Sequence, residues 1–318
     1  MDVVTLGELL IDFTNNGMSS QGNPMFEANP GGAVPNVMSM LQRLGHDTAF
    51  IGKVGNDFFG HMLEDALKEQ GIDASGLKFD EKIHTTLALV AKKADGDRDF
   101  AFYRNPGADM MLSKEDVDAE LIRSSKIFHY GSLSMTDEPC ESATKFAIDT
   151  AKEAGLILTF DPNLRPTLWH SMEQAKELIS YGLTKCDVLK ISDDEIEFMT
   201  GETDIEKGVN KIIDEYHIPL VCATMGKDGS KAFWNGMVVD GKPYSSPDTI
   251  ETTGAGDCFG ACMIHYVLKY GLNDWNEERL AEMLKFANAA ACLVTTRRGA
   301  LRVMPTVEEV QDFIGKIM

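Results

Sequence analysis

Glu251-Thr252-Thr253-Gly254-Ala255-Gly256-Asp257-Cys258-Phe259-Gly260 is a turn of small residues that runs into an apolar stretch. The stretch predicts a helix from Asp257 to Tyr270, with Phe259, Met263 and Val267 on one side, Lys269 near its end and Gly271 beyond. With no bulky side chains in the way, the amides of Gly254, Ala255 and Gly256 can approach a phosphate, aided by the positive end of the helix. Asp257 then stands beside that phosphate. A carboxylate there can take the proton of an attacking hydroxyl while the amides hold the charge building on the transferring phosphoryl group. This is the chemistry of a small-molecule kinase. A purely local reading also exists, in which the glycines make a tight turn and Asp257 favours a helix N-terminus. Two other phosphate motifs are excluded. The chain has no Gly-x-x-x-x-Gly-Lys-Ser/Thr, and Gly254, Gly256 and Gly260 are misspaced for Gly-x-Gly-x-x-Gly. The His-Arg-Asp and Asp-Phe-Gly of protein kinases are absent as well.

Upstream of this turn, short apolar runs alternate with amphipathic stretches, which predicts an α/β fold with a largely parallel sheet covered by helices. The expected strands are 3–6, 48–51, 127–130, 156–160, 188–191 and 220–223. Helices are expected over 33–44, with Pro35 in the first turn and Gly45 after it, over 57–70 before Gly71, over 137–154 before Gly155, and over 277–294. One region breaks the alternation. Residues 86–91 and 98–103 are β-rich and flank an Asp95-Gly96 step, a hairpin signal. Such a hairpin can pair with the irregular segment from Ile11 to Ala28 as a small sheet, either a lid or a surface for another subunit.

A second small-residue entry into a helix is Asn29-Pro30-Gly31-Gly32-Ala33-Val34-Pro35-Asn36. Here the glycines allow close backbone approach and Asn36 can both donate and accept, as a polyol requires, although a simple loop-to-helix turn has the same composition. Asp12 ends the apolar run Leu9-Leu10-Ile11, where it either caps a turn or binds paired hydroxyls. In open α/β sheets ligands bind beyond the carboxyl ends of strands, which is where Asp161, Asn163 and Arg165 fall. Arg104 follows the hairpin. Either arginine can instead serve a surface ion pair. Thr224, Gly226 and Gly229 sit just past the 220–223 strand, as a nucleotide-binding turn or a plain hairpin turn. Ser192-Asp193-Asp194-Glu195 is a capping-box pattern whose acidity also suits a place near Mg²⁺.

Bulk properties fit a globular enzyme of 318 residues: 43% of residues are apolar and 25% charged. The net charge of −20 argues against nucleic acid and anionic membranes as partners, since both are polyanions that need clustered Lys and Arg. Six dispersed cysteines without a Cys-x-x-Cys pair point to reduced, buried thiols, and Cys258 with Cys262 to packing one helical turn apart. With no leader-like N-terminus and no long apolar run, the expected compartment is the cytoplasm.

Gly31-Gly32 with Asn36, followed by Thr252-Thr253-Gly254-Ala255-Gly256-Asp257, resemble the two signatures of the ribokinase-like (PfkB) carbohydrate kinases. The resemblance covers essentially the whole chain. It implies a single three-layer α/β/α domain over 1–318, with a β-sheet lid from about 11–30 and 84–106 that often serves as a homodimer surface. Phe102-Tyr103-Arg104-Asn105-Pro106-Gly107-Ala108-Asp109 and Phe160-Asp161-Pro162-Asn163-Leu164-Arg165, with Trp169, look most like the fructokinases. Similar stretches occur in 2-keto-3-deoxygluconate kinases.

By the resemblance, Asp257 is the base and the amides of Gly254, Ala255 and Gly256 form the anion hole. Asp12, Gly31, Gly32, Asn36, Tyr103, Arg104 and Arg165 would bind the sugar, and Lys190, Thr224, Gly226, Gly229 and Asn288 the ATP. Mg²⁺ with ATP is implied near Glu195, and K⁺ near Glu251. Two positions depart from the family's pattern: Glu251 stands where many members have Asp, and Ser192 where Asn is usual. The expected activity is ATP-dependent phosphorylation of D-fructose to fructose 6-phosphate, with 2-keto-3-deoxygluconate as the rival substrate. A non-catalytic sugar or nucleotide sensor is the reading from another class, and the intact Asp257 turn argues against it.

Overall fold

Alternation along the apolar runs builds a sheet with two buried faces. In the computed structural model, which describes residues 1–92 and 98–317, the strands are β1 (Val3–Leu6), β2 (Leu10–Met18), β3 (Pro24–Gly31), β4 (Thr48–Gly55), β5 (Asp73–Asp80), β6 (Leu87–Lys92) and β7 (Arg98–Tyr103). They continue with β8 (Ile127–Gly131), β9 (Ile157–Asp161), β10 (Val188–Ser192), β11 (Leu220–Thr224), β12 (Ser230–Trp234) and β13 (Met237–Gly241). The helices are α1 (Ala33–Arg43), α2 (Phe58–Glu69), α3 (Ala119–Arg123), α4 (Cys140–Glu153) and α5 (Met172–Leu183). Then follow α6 (Asp193–Thr200), α7 (Ile205–Tyr216), α8 (Ala255–Tyr270), α9 (Glu277–Val294) and α10 (Val307–Ile317).

The main sheet has the order β13-β12-β11-β10-β9-β8-β1-β4-β5, parallel except for the antiparallel β12 and β13 at one edge. Val3, Val188, Leu220 and Cys222 bury against α1, α2, α8, α9 and α10. Their neighbours Val4, Leu189, Val221 and Ala223 bury on the opposite face against α3 to α7. Both faces are therefore apolar, which is why these strands read as continuous apolar runs. Roughly 1.5–3 kcal/mol per fully buried large side chain makes either core more than enough to fix the register. Because β1, β8, β9 and β10 are parallel, their carboxyl ends share one edge, and the residues just past them converge there.

Helix ends follow local chemistry. The side chain of Asp57 caps α2 by accepting from the Gly60 amide at 2.8 Å, and Asn276 caps α9 through the Arg279 amide at 2.9 Å. The helix expected from Asp137 begins only at Cys140, after a short 3-10 turn at Leu133–Met135 and the Glu138-Pro139 step. All six cysteines are buried free thiols.

The segment read as irregular from Ile11 to Ala28 is ordered. It forms the β2–β3 antiparallel pair and joins the β6–β7 hairpin in a four-stranded sheet of order β3-β2-β6-β7, with β2 and β6 parallel. The Asp95-Gly96 step expected at the hairpin tip lies outside the described residues. β5 gave no sequence signal because it is an edge strand that buries little beyond Gly76 and Leu77. A Cβ at Gly76 would fall 2.6 Å from the Phe50 carbonyl oxygen, so glycine is what lets β5 lie against β4. No helix among the described residues is long and apolar enough to cross a membrane.

Candidate active site

A cavity of about 750 Å³ opens at the carboxyl ends of β1, β8, β9 and β10, between the main sheet and the small one. Ligand pockets of enzymes run from about 300 to 1,000 Å³. Gly254 opens the turn at its floor with φ 77°, and a Cβ there would lie 2.7 Å from that of Ala300, so the position admits only glycine. The amides of Gly256 and Asp257 fall in the first turn of α8, where no intrahelical acceptor exists. Ala255 is turned differently. Its amide donates to the Thr252 carbonyl at 3.3 Å, and it is not among the lining residues, which leaves Gly254 and Gly256 as the expected anion-hole members that face the cavity.

Asp257 projects into the cavity and its Oδ2 accepts from Asn36 Nδ2 at 2.8 Å, so the two glycine motifs, 221 residues apart, meet in one hydrogen bond. Burial raises the Asp257 pKa, opposed by the Asn36 bond and by the charges of Lys190 and Arg165. Asn36 Oδ1 is buried with no partner, an unsatisfied acceptor that a hydroxyl donor would complete.

Lys190, the third residue of β10, stands 3.0 Å from Asp161 Oδ2 at the end of β9. Its burial works against the charge, but Asp161, Glu195 and Asp257 outweigh it and hold the ammonium protonated, with the pKa raised. A Cβ on Gly256 would come within 3.3 Å of Lys190 Nζ, so the cation sits directly at the glycine turn. Amides, helix terminus and ammonium together make this the anion-binding end of the cavity.

The other end is lined by acids, one amide and apolar walls: Glu8, Asp12 and Asn36, with Leu10, Phe102 and Leu133. A side chain on Gly31 would collide with Asp12 Oδ2, and one on Gly32, at φ 125°, with the Glu8 carbonyl oxygen. Gly31 makes room for the Asp12 carboxylate and Gly32 for the backbone of Glu8. Burial, reinforced by Asp257 and Glu8, pushes the Asp12 carboxyl up to about 7. Burial likewise raises Glu8 to about 7, against the bond its Oε1 accepts from the Ala33 amide at 2.7 Å. Sequence reasoning missed Glu8. The available signal was an acid placed between the two apolar runs Val3–Leu6 and Leu9–Ile11. Asn163, Arg165 and Asp194 also line the wall, and Arg165 Nη1 is bonded to its neighbouring Leu164 carbonyl at 3.1 Å.

Other expected positions fall elsewhere. Tyr103 is 64% exposed and outside the lining. Arg104 is buried behind the wall, with Nε on Asp109 at 2.7 Å, Nη1 on Thr136 Oγ1 at 2.9 Å and Nη2 on the Leu133 carbonyl at 3.0 Å. A buried guanidinium needs neutralising and Asp109 does it, while Asp109 also accepts from Thr86 Oγ1 at the start of the hairpin. Arg104 therefore fastens the small sheet to the body, and it is not among the residues that line the cavity.

Glu195 is spent as well: Oε2 accepts from the Ser192 amide at 2.8 Å, closing the capping box, and Oε1 from the Leu164 amide at 2.7 Å. Glu251 lines the cavity, with Oε1 on the Gly299 amide at 2.9 Å. Among the described residues no three His, Cys, Asp or Glu side chains converge as a metal site. Thr224, Gly226, Gly229 and Asn288 lie outside the lining. Thr224 pairs with Ser230 across β11 and β12. Asn288 Nδ2 ties α9 to the Lys242 carbonyl at 3.1 Å, and Gly229 avoids a collision with the Gly241 carbonyl.

Residues 1–307 match the pfkB family carbohydrate kinase. The chain belongs to that family. Among its pfkB relatives, fructokinase-2 of Oryza sativa subsp. japonica is 43% identical over 320 residues, covering 99% of this chain and 94% of the rice protein. The crystal structure of Vibrio cholerae O395 fructokinase in its fructose, ADP and calcium ion bound form superposes with TM-score 0.87 at 30% identity, covering 99% of each chain. A double mutant of the Vibrio enzyme was solved with fructose, ADP and potassium ion. A putative ribokinase II from E. coli, in complex with ATP and Mg²⁺, has TM-score 0.86 at 26% identity, with 99% of each chain covered.

Proposed function

We propose that this pfkB carbohydrate kinase is an ATP-dependent fructokinase, forming fructose 6-phosphate and ADP. The observation that carries the reading is the Asp257 carboxylate, bonded to Asn36 on the sugar side and flanked by the Gly256 amide and Lys190 on the phosphate side. Burial raises the Asp257 pKa and makes it a stronger base than a surface carboxylate, while Asn36, Lys190 and Arg165 favour its charged form. Asp257 takes the proton from the sugar's C6 hydroxyl as that oxygen bonds to the γ-phosphorus. The bond from the γ-phosphorus to the bridging oxygen breaks, and ADP leaves with the electron pair. The amides at the start of α8 and the Lys190 ammonium hold the charge on the transferring group.

Mg²⁺ bound to the triphosphate supplies further charge neutralisation. The residues fit a metal carried mainly by phosphate and water, since Glu195 is occupied by two backbone amides and only the exposed Asp194 adds a carboxylate on that wall. Substrate choice is supported by the fructokinase relatives and by Arg104. A 2-keto-3-deoxygluconate kinase would use Arg104 and Arg165 against the substrate carboxylate, and Arg104 is neutralised by Asp109 instead. The small sheet serves as the lid, and its exposed Met18, Met25, Phe26 and Tyr103 support a homodimer through it. Buried free thiols support a cytoplasmic setting.

The test is coupled ADP release with fructose, 2-keto-3-deoxygluconate, ribose and adenosine. Fructose gives the highest kcat/KM. Highest turnover with the acid sugar would overturn the substrate assignment, and ligand binding without ADP release from any of the four would favour a sensor.

A further inference from the structure

Glu251 sits between three parts of the molecule. Its own segment is laced to the end of α9, where the Ile250 and Glu251 amides both donate to the Thr295 carbonyl, at 2.8 and 3.1 Å. Its Oε1 accepts from the amide of Gly299, a buried residue at φ 83°. The residue after Gly299 is Ala300, whose methyl packs on the Gly254 turn. The residue before it is Arg298, whose Nη1 donates to Asn16 Oδ1 of β2 at 3.3 Å. Gly299 itself lies under Asn29 of β3, whose Oδ1 would stand 3.3 Å from a Cβ at that position. The same short stretch therefore backs the anion-binding turn and carries the small sheet.

We propose that Glu251 is a positioning residue that acts by reach: its carboxylate holds the 298–300 stretch against the Gly254 turn and so sets the placement of the α8 amides relative to the small sheet. The proposal rests on the kinase reading above for its consequence in catalysis, but its geometry stands apart from it. Aspartate keeps the charge and falls short by one carbon, about 1.5 Å, which strands the buried Gly299 N–H. Glutamine loses the charge and keeps an acceptor oxygen at full reach. Reach and charge are thus separable at one position.

The experiment measures hydrogen exchange at the Gly299 amide and steady-state kinetics with fructose and ATP, in the wild type, Glu251→Gln and Glu251→Asp. Exchange needs no substrate. In Glu251→Gln the amide keeps its protection to within about threefold, and in Glu251→Asp it exchanges at least about tenfold faster. A misplacement of about 1 Å costs up to about 10²-fold in rate, so kcat of Glu251→Asp falls about tenfold or more with KM for ATP held within about threefold, while Glu251→Gln restores most of it. The opposite ranking, with Asp close to wild type and Gln impaired, overturns the proposal and assigns the carboxylate's charge as what matters. Equal exchange in all three proteins, or unchanged kcat in Glu251→Asp despite faster exchange, overturns it too. Should the wild type fail to release ADP with fructose, the kinase reading falls, and the exchange ranking still decides how Glu251 acts.

Discussion

Lowering the pH through neutrality protonates Asp12, whose carboxyl titrates at about 7 because it is buried and faces Asp257 and Glu8. Sugar hydroxyls donate hydrogen bonds to its charged form, so binding pulls the Asp12 pKa down and is coupled to proton release. The sign follows from that. Affinity is present above the free-state pKa and is lost as pH falls through it, because protonation must be reversed before the hydroxyls can bond. With a free-state pKa of about 7, roughly nine-tenths of the sites are ionised at about pH 8 and one-tenth at about pH 6, so the dissociation constant for fructose rises about tenfold over that interval, or about 1.4 kcal/mol. Glu8, also at about 7, is a like charge that raises Asp12, so the two titrate as a coupled pair, and the proton released on binding is read at Asp12. Isothermal calorimetry with fructose alone, repeated in buffers of different ionisation heat, reports both the affinity and the proton released. Asp12→Asn should bind more weakly at about pH 8 and lose most of the slope. A wild-type dissociation constant flat to within about twofold across this range would refute the reasoning, as would an Asp12→Asn variant with the slope intact.

Asp257→Asn should lower kcat by about 10²- to 10⁴-fold with ATP affinity nearly unchanged in equilibrium dialysis; near-native kcat would remove Asp257 as the base. Glu8→Gln tests stability linkage. Its carboxyl moves from 4.5 in the open chain to about 7 when folded, so ionising it above about pH 7 costs the folded state about 3 kcal/mol that is absent below about pH 4. The variant should therefore unfold at higher denaturant than wild type at about pH 8, and show no such gain at about pH 4. Arg104→Met leaves Asp109 buried and unpaired, which should cost about 3–5 kcal/mol in urea unfolding, whereas a sugar-contact residue would change KM with stability intact.

Much of the architecture was legible because its signals are local. The runs 3–6 and 188–191 read as strands since both their faces are buried, and the Ser192 capping box needs only four consecutive residues. β5 left no sign in the sequence, and β2 and β3 were expected beside the hairpin only as an irregular segment. Their apolar and polar residues answer to one covered face or none, so no period survives in the sequence, and pairing with distant strands decides them.

The site divides in the same way. The sequence by itself determined the two glycine turns, the acid at 257 and the amide at 36, because each depends on residue size and helix-start geometry within about ten positions. Only the tertiary structure decided which charges face the ligand. Arg104 and Arg165 look alike along the chain, yet one is neutralised by Asp109 behind the wall and the other lines the cavity. Glu8 gave little away in sequence and stands in the sugar end, while Glu195 closes the capping box read from sequence and also holds the distant Leu164 amide. A charged side chain's role is fixed by its counter-charge and its burial, and both are set by residues tens to hundreds of positions away.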